Sequence, residues 1–195
     1  MYIIKNNKGF TLVEVLIAVL LSGLVLTSGY KFYSAAQSQT TIQMELSKIQ
    51  NMARSSLDDI KRTLRQAGYK LTSHDPYLIN GDSMMVFFNV HNPVDTVSYF
   101  LTDPSTVNGT MNIDGYDIGL PQKIDNTTYC LVKSCSFGTA SVYSDNIVSL
   151  KFLKLKENVI RITITTQSEY PDEAYNLNNG YRRWTLSEEV CLRNI

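Results

Sequence analysis

Hydrophobic residues run almost unbroken from Phe10 to about Tyr30 and then thin into a periodic pattern. As a helix this run would be about 31 Å long, matching a bilayer hydrocarbon core of roughly 30 Å. Lys5 and Lys8 precede it, which predicts that this end stays cytoplasmic and the remainder is exported. Beyond Tyr30, Ile42, Leu46, Ile49, Ala53, Leu57, Ile60, Leu64 and Ala67 recur at gaps of three and four, the stripe of an amphipathic helix. Glu45, Lys48, Asp59, Arg62 and Arg65 occupy its other faces. No proline falls between Phe10 and Ala67, so both parts can form one helix about 85 Å long, with Gly68 as its stop. Gly23 and Gly29 are weak points within it, each costing about 1 kcal/mol relative to Ala. The stripe can serve as a coiled-coil seam or as the face on which a domain docks. The β-rich region behind it needs such a surface, which favours docking.

Past Pro76 the period changes to that of strands. Met84–Val90, Thr96–Thr102, Thr128–Lys133, Ile147–Leu155, Val159–Gln167 and Arg182–Leu192 are rich in β-branched and aromatic residues. Ile160, Ile162 and Ile164 alternate with Arg161, Thr163 and Thr165, as in a half-buried antiparallel strand. Trp184, Leu186, Val190 and Leu192 repeat the alternation, with Glu188 out of place. Asn158 suits a tight connection between two of these strands, and the Gly-, Asn- and Asp-rich segment from Pro104 to Asn126 reads as a long loop. The fold class is α+β: one long helix packed on an antiparallel sheet.

Composition narrows the chemistry. About 125 residues follow the helix, enough for one domain with its own core. Basic and acidic residues balance at 18 each, so no broad positive field favours nucleic acid. Cys130, Cys135 and Cys191 face the exported, disulfide-permissive side. Cys130 and Cys135 form a candidate disulfide closing a turn or small hairpin, with buried free thiols as the alternative. Neither His74 nor His91 stands at zinc-ligand spacing from a cysteine, and no nucleophile elbow or triad framework surrounds His74-Asp75, so no catalytic residue, metal or cofactor is expected. Asn112, Asp114 and Asp117 flank Gly115 with oxygen ligands but lack the spacing of a calcium loop. Lys151, Lys154, Lys156 and Arg161 make a short basic strip that reads as a solvated sheet face.

The segment Lys8-Gly9-Phe10-Thr11-Leu12-Val13-Glu14 adds a different kind of signal. A basic flank, a Gly-Phe junction ahead of the apolar run, and one acid inside that run together resemble a type IV prepilin or pseudopilin leader. A secretory signal peptide would carry its cleavage site after the apolar region. The resemblance implies a prepilin peptidase that cuts between Gly9 and Phe10 and methylates the new amine of Phe10. Loss of Lys5 and Lys8 with that leader leaves 16 basic against 18 acidic residues, a net charge of −2. It also implies a role for Glu14, whose burial in lipid costs about 2.5–3.5 kcal/mol at a helix centre and less near an end: its carboxylate pairs with the amino terminus of a neighbouring subunit. Leu57-Asp58-Asp59-Ile60-Lys61-Arg62 through Arg65-Gln66-Ala67-Gly68-Tyr69, Ser144 to Phe152, and Tyr181-Arg182-Arg183-Trp184 to Asn194 are similar to segments of PilW-like minor pilins. The J-type minor pseudopilin of type II secretion shares much of this layout. The implied organisation is a leader over 1–9, a membrane helix over 10–30, its exported continuation over 31–68 and a β-rich head over 69–195. The implied role is a non-enzymatic minor pilin near a pilus tip, anchored in the inner membrane with a periplasmic head. Its implied partners are other minor and major pilins, the prepilin peptidase and the pilus assembly machinery. An adhesin or DNA-uptake pilin is a further alternative.

Overall fold

The computed structural model describes residues 9–72, 75–90, 94–103, 128–136, 140–172 and 174–194, and the backbone of 110–113 and 116–119. One helix, α1, runs from Leu12 to Leu64, and nine strands follow among the described residues. The chain divides into two compact units at Met44 and Glu45, so the last five turns of α1 belong with the strands as one head. Seven strands form an antiparallel sheet: β1 (Tyr77–Asn80), β2 (Ser83–Phe88), β3 (Asp95–Thr102), β6 (Tyr129–Cys135), β7 (Ser141–Lys156), β8 (Val159–Gln167) and β9 (Arg183–Cys191), in that spatial order. The remaining two, β4 (Thr110–Ile113) and β5 (Tyr116–Gly119), pair as a hairpin inserted between β3 and β6. The α+β architecture that the periodicity predicts is therefore present, and it is pilin-like, as the resemblance implies.

Apolar periodicity decides which faces meet. From Ile49 onward Ala53, Leu57, Ile60, Leu64 and Ala67 are fully buried. They pack on Met84, Val86, Tyr99, Leu131, Ile147, Leu150, Ile160, Ile162, Ile164 and Val190 from six strands. The stripe is thus the docking face of the sheet. Ala53 and Ser56 let the helix approach closely, although the buried Ser56 hydroxyl finds no hydrogen-bond partner among the described residues.

Polar contacts fix the depth of docking. Tyr99 is wholly buried and its hydroxyl donates to Asp59 Oδ2 at 2.6 Å, while Thr63 Oγ1 lies 2.7 Å from the same hydroxyl. Lys133 Nζ reaches both Asp59 oxygens, at 3.1 and 2.8 Å, and lies 5.6 Å from the centre of the Tyr99 ring. On the other flank Lys61 pairs with Glu188 of β9, the acid that interrupted the alternation. Glu188 stands opposite Ile162 and so points to the helix side of the sheet. At the first turn of the head, Lys48 pairs with Glu169, and Thr166 Oγ1 donates to the Ile49 carbonyl at 3.0 Å.

The helix closes against the carboxyl-terminal segment. After Leu64 a tighter turn carries the chain on, with Gln66 N–H donating to Thr63 O and Ala67 N–H to Leu64 O. Gly68 then takes φ +77°, and a Cβ there would lie 2.2 Å from the Asn194 carbonyl oxygen. Its N–H donates to Phe87 O at 3.0 Å. Both the left-handed backbone and the close approach exclude a side chain.

Three features differ from the sequence reading. The segment from Pro104 to Asn126 holds the β4–β5 hairpin, with Ile113 opposite Tyr116, where a long loop is expected. Asp114-Gly115 separates the two strands, the dipeptide that most strongly favours a two-residue hairpin turn. β1 is too short for the alternation to stand out. β7 begins six residues before the predicted Ile147, because Asp145-Asn146, a turn signature, sits instead in a β-bulge with Asn146 at φ 52°.

Gly68→Ala should destabilise the head by about 2 kcal/mol or more, since strain and collision both oppose it. The readout is the thermal midpoint of the detergent-solubilised chain, and an unchanged midpoint would contradict the packing of Asn194 on the helix end.

The ion pairs also set a pH window. Arg182 holds the Asp172 carboxyl below its ordinary value, and Lys48 does the same for Glu169. Their contribution is present above the ordinary carboxylate range and is lost as pH falls below about 4. Glu169 and Glu188 hold Lys48 and Lys61 up, and burial together with the Asp59 carboxylate pushes Tyr99 up. Those contributions are present at neutral pH and are lost as pH rises past about 10. Thermal midpoints should therefore be flat from about pH 5 to 9 and fall on both sides; a decline between pH 6 and 8 would contradict this assignment.

Candidate functional site

Gly9, Phe10 and Thr11 lie outside the helix, which opens at Leu12. Thr11 is the N-cap. Its Oγ1 accepts the Glu14 N–H at 3.3 Å, and Glu14 Oε2 accepts the Thr11 N–H at 2.8 Å and the Thr11 hydroxyl at 3.0 Å. This reciprocal arrangement is a capping box, which satisfies two of the helix's orphan N-terminal donors. The sequence reading weighed Glu14 alone and passed over Thr11, yet Thr-x-x-Glu before an apolar run is the signature of this motif. Gly9 and Phe10 are exposed, with Phe10 at 87%, so the junction sits on accessible, non-helical chain just ahead of a rigid helix.

The helix beyond is apolar on every side. Leu12, Val13, Leu16, Ile17, Leu20, Leu21, Leu24 and Val25 all keep more than half of their surface exposed. The most apolar 18-residue window has a mean hydropathy of 2.2, long and apolar enough to cross a membrane. Its hydroxyls are turned inward: Ser22 donates to Ala18 O, Thr27 to Gly23 O and Ser28 to Leu24 O, at 2.7–2.9 Å. In hydrocarbon such bonds remove the cost of unpaired polar groups. Glu14 is the sole charged residue from Phe10 to Tyr30. Ala18 and Ser22 rise above it at helical spacing, and with Phe10, Val15 and Val19 they leave an open concavity of about 390 Å³ beside the carboxylate.

Other residues singled out by sequence fall elsewhere. The proposed Cys130–Cys135 disulfide is not formed: all three cysteines are free, and this pair lies on one continuous strand. Five residues of extended chain separate them by about 16 Å, beyond the roughly 7 Å limit for bridged Cα atoms. Their odd spacing also puts them on opposite faces, Cys135 toward the helix and Cys130 away from it. His74, His91, Asp114 and Gly115 lie outside the described residues. Asn112 and Asp117 oppose each other across the β4–β5 hairpin, with side chains outside the description. The basic strip divides: Lys154 stands opposite the core residue Ile160 and over the Tyr77 ring, whereas Arg161 on the outer face binds Glu189 at 2.6 Å. A cleft of about 450 Å³ by the β1–β2 turn contains Asp82, Ser83 and Asp103, and the Ser83 hydroxyl there donates to the Asn80 carbonyl. No cluster of three or more His, Cys, Asp or Glu poised for a metal occurs among the described residues.

Thiol labelling with maleimide should follow burial. Cys191 is exposed and should react first, Cys135 more slowly, and Cys130 only on unfolding, since burial pushes its thiol up to about 11. Recovery of a Cys130–Cys135 peptide bridge from native protein would contradict the strand assignment.

Residues 4–30 match the family model described as the prokaryotic N-terminal methylation motif. No curated protein and no solved structure matches the chain. The match takes in Lys5 and Lys8 in sequence, and of the geometry described above it covers the Gly9–Phe10 junction, the capped helix start and the apolar run.

Proposed function

We propose that this chain is a minor pilin of a type IV pilus, of the PilW-like kind, which primes or caps assembly near the pilus tip. The methylation motif over residues 4–30, leading into a helix with a lone acid, carries the reading. That motif supports a type IV pilin or pseudopilin in general. The resemblance of the helix end and carboxyl terminus to PilW-like segments supports the finer assignment. In this proposal a prepilin peptidase hydrolyses the Gly9–Phe10 peptide and methylates the freed Phe10 amine. The chain then remains in the inner membrane through its apolar helix, with a periplasmic, non-enzymatic head.

The geometry suggests how Glu14 can serve both helix and neighbour. Oε2 is occupied by Thr11, while Oε1 accepts no hydrogen bond among the described residues. Thr11 survives cleavage, so the capping box persists in the mature chain. Glu14 lines the concavity with Ala18 and Ser22, and its free oxygen can accept a neighbour's ammonium, a charge-assisted bond that offsets the cost of a carboxylate in lipid. A J-type pseudopilin of type II secretion would use the same device. Gene deletion separates them: loss of filaments with accumulation of the major subunit in the membrane, or loss of a secreted substrate.

Intact mass of protein from membranes should show loss of Met1–Gly9 and gain of one methyl group. In the Glu14→Ala variant, insertion should be no worse, because the segment becomes more apolar. Entry into filaments should fall by about tenfold or more, as expected for loss of a desolvated charge pair. An unprocessed chain, or a mature start near Gly29, would overturn the pilin reading; normal piliation in the variant would overturn the role of Glu14.

A further inference from the structure

The outward face of α1 in the head carries Arg54 and Arg62, and Arg65, one residue past its end with its N–H still donating to the Lys61 carbonyl, continues that face; none of the three makes an ion pair among the described residues. Every other charged residue from Glu45 to Ala67 is engaged. Glu45 accepts the Glu169 N–H, Lys48 pairs with Glu169, Asp58 with Lys61, Asp59 with Lys133, and Lys61 also with Glu188. Arg54, Arg62 and Arg65 are exposed, and their guanidinium groups make no ion pair or hydrogen bond among the described residues. At 3.6 residues per turn they fall within an arc of about 80° and span about 16 Å, opposite the buried stripe. Asn51 and Ser55 beside them are exposed and small, and Ser55 Oγ turns back to the Met52 carbonyl. At the margin of the stripe the Tyr143 hydroxyl donates to the Ser55 carbonyl at 3.4 Å.

Resting on the pilin reading, we propose that this face docks on a carboxylate-bearing surface of an unlike pilin subunit. Guanidinium groups are weakly hydrated and present planar donor forks matched to carboxylates, so they lose little water and form bidentate pairs. Asp58 lies within the same arc and is two-thirds exposed. That carboxylate would repel a polyanion such as nucleic acid, whereas a protein surface of mixed charge can meet it with a base. Three cations are also fewer than the six to ten phosphate contacts of a typical DNA-binding protein. Two copies meeting symmetrically through the stripe would set arginine against arginine, which disfavours a like pair.

The test uses the full-length tagged chain in detergent, co-expressed with each pilin encoded beside it. The wild type should capture one of these pilins. Arg54→Glu, Arg62→Glu and Arg65→Glu together should lower recovery by about tenfold or more, and recovery should fall with added salt. The matching triple Lys variant keeps the charge and should stay within about threefold of wild type, which guards against a folding artefact. Processing at Phe10 is measured in the same preparations. An unprocessed chain sinks the pilin reading; correct processing with undiminished capture by the Glu variant overturns the docking face alone. Capture of no unlike pilin, capture of only a second copy of this chain, or loss of binding to a duplex DNA probe with pilin capture unchanged would each overturn the assignment.

Discussion

One helix has to satisfy two different surroundings, and the rest of the structure follows from that demand. Its first part is apolar in every direction and long enough to cross a membrane. Its last five turns are apolar on one side only, and the sheet supplies that side. The change is carried by residue type alone, without a proline. The hydroxyls of the first part fold back on their own backbone, whereas the polar groups of the last part reach across to strands.

Apolar burial alone would allow the sheet to slide along the helix, because an Ile, Leu and Ala stripe looks much the same one turn away. The Asp59–Tyr99–Lys133–Thr63 cluster removes that freedom. A shift of one turn, about 5.4 Å, would leave a carboxylate and an ammonium partly buried and unpaired. Lys61–Glu188 imposes the same register from the opposite flank, so the docking depth is fixed on both sides of the core.

Much of this is legible in the sequence where the period is long. The stripe from Ile49 to Ala67 and the alternation of Ile160, Ile162 and Ile164 map directly onto the two sides of the core. Legibility fails where one residue type has two physical meanings. Asp145-Asn146 signals a turn but sits in a bulge, because a strand can absorb a left-handed Asn when the pairing shifts register. Asp114-Gly115 was lost among other turn residues although it separates a hairpin's strands. Cys130 and Cys135 suggested a closed turn from spacing, which says nothing about extension; on one strand the same spacing holds them apart. At the amino terminus the charge of Glu14 stood out because it is alone in an apolar run. Thr11 did not, since its contribution depends on the helix beginning at one particular residue.

The acid that broke the alternation of β9 has a meaning beyond helix docking. β9 is nine residues long and forms the open edge of a seven-stranded sheet, with a row of backbone groups on its free side. An unpaired edge of this kind invites strand addition from a neighbouring chain. An incoming strand would have to lay its inward residues beside Glu188 and Lys61, a charged pair where an extended core needs apolar surface. The contact that locks the helix in place thus also sets charge where strand addition at this edge needs apolar surface.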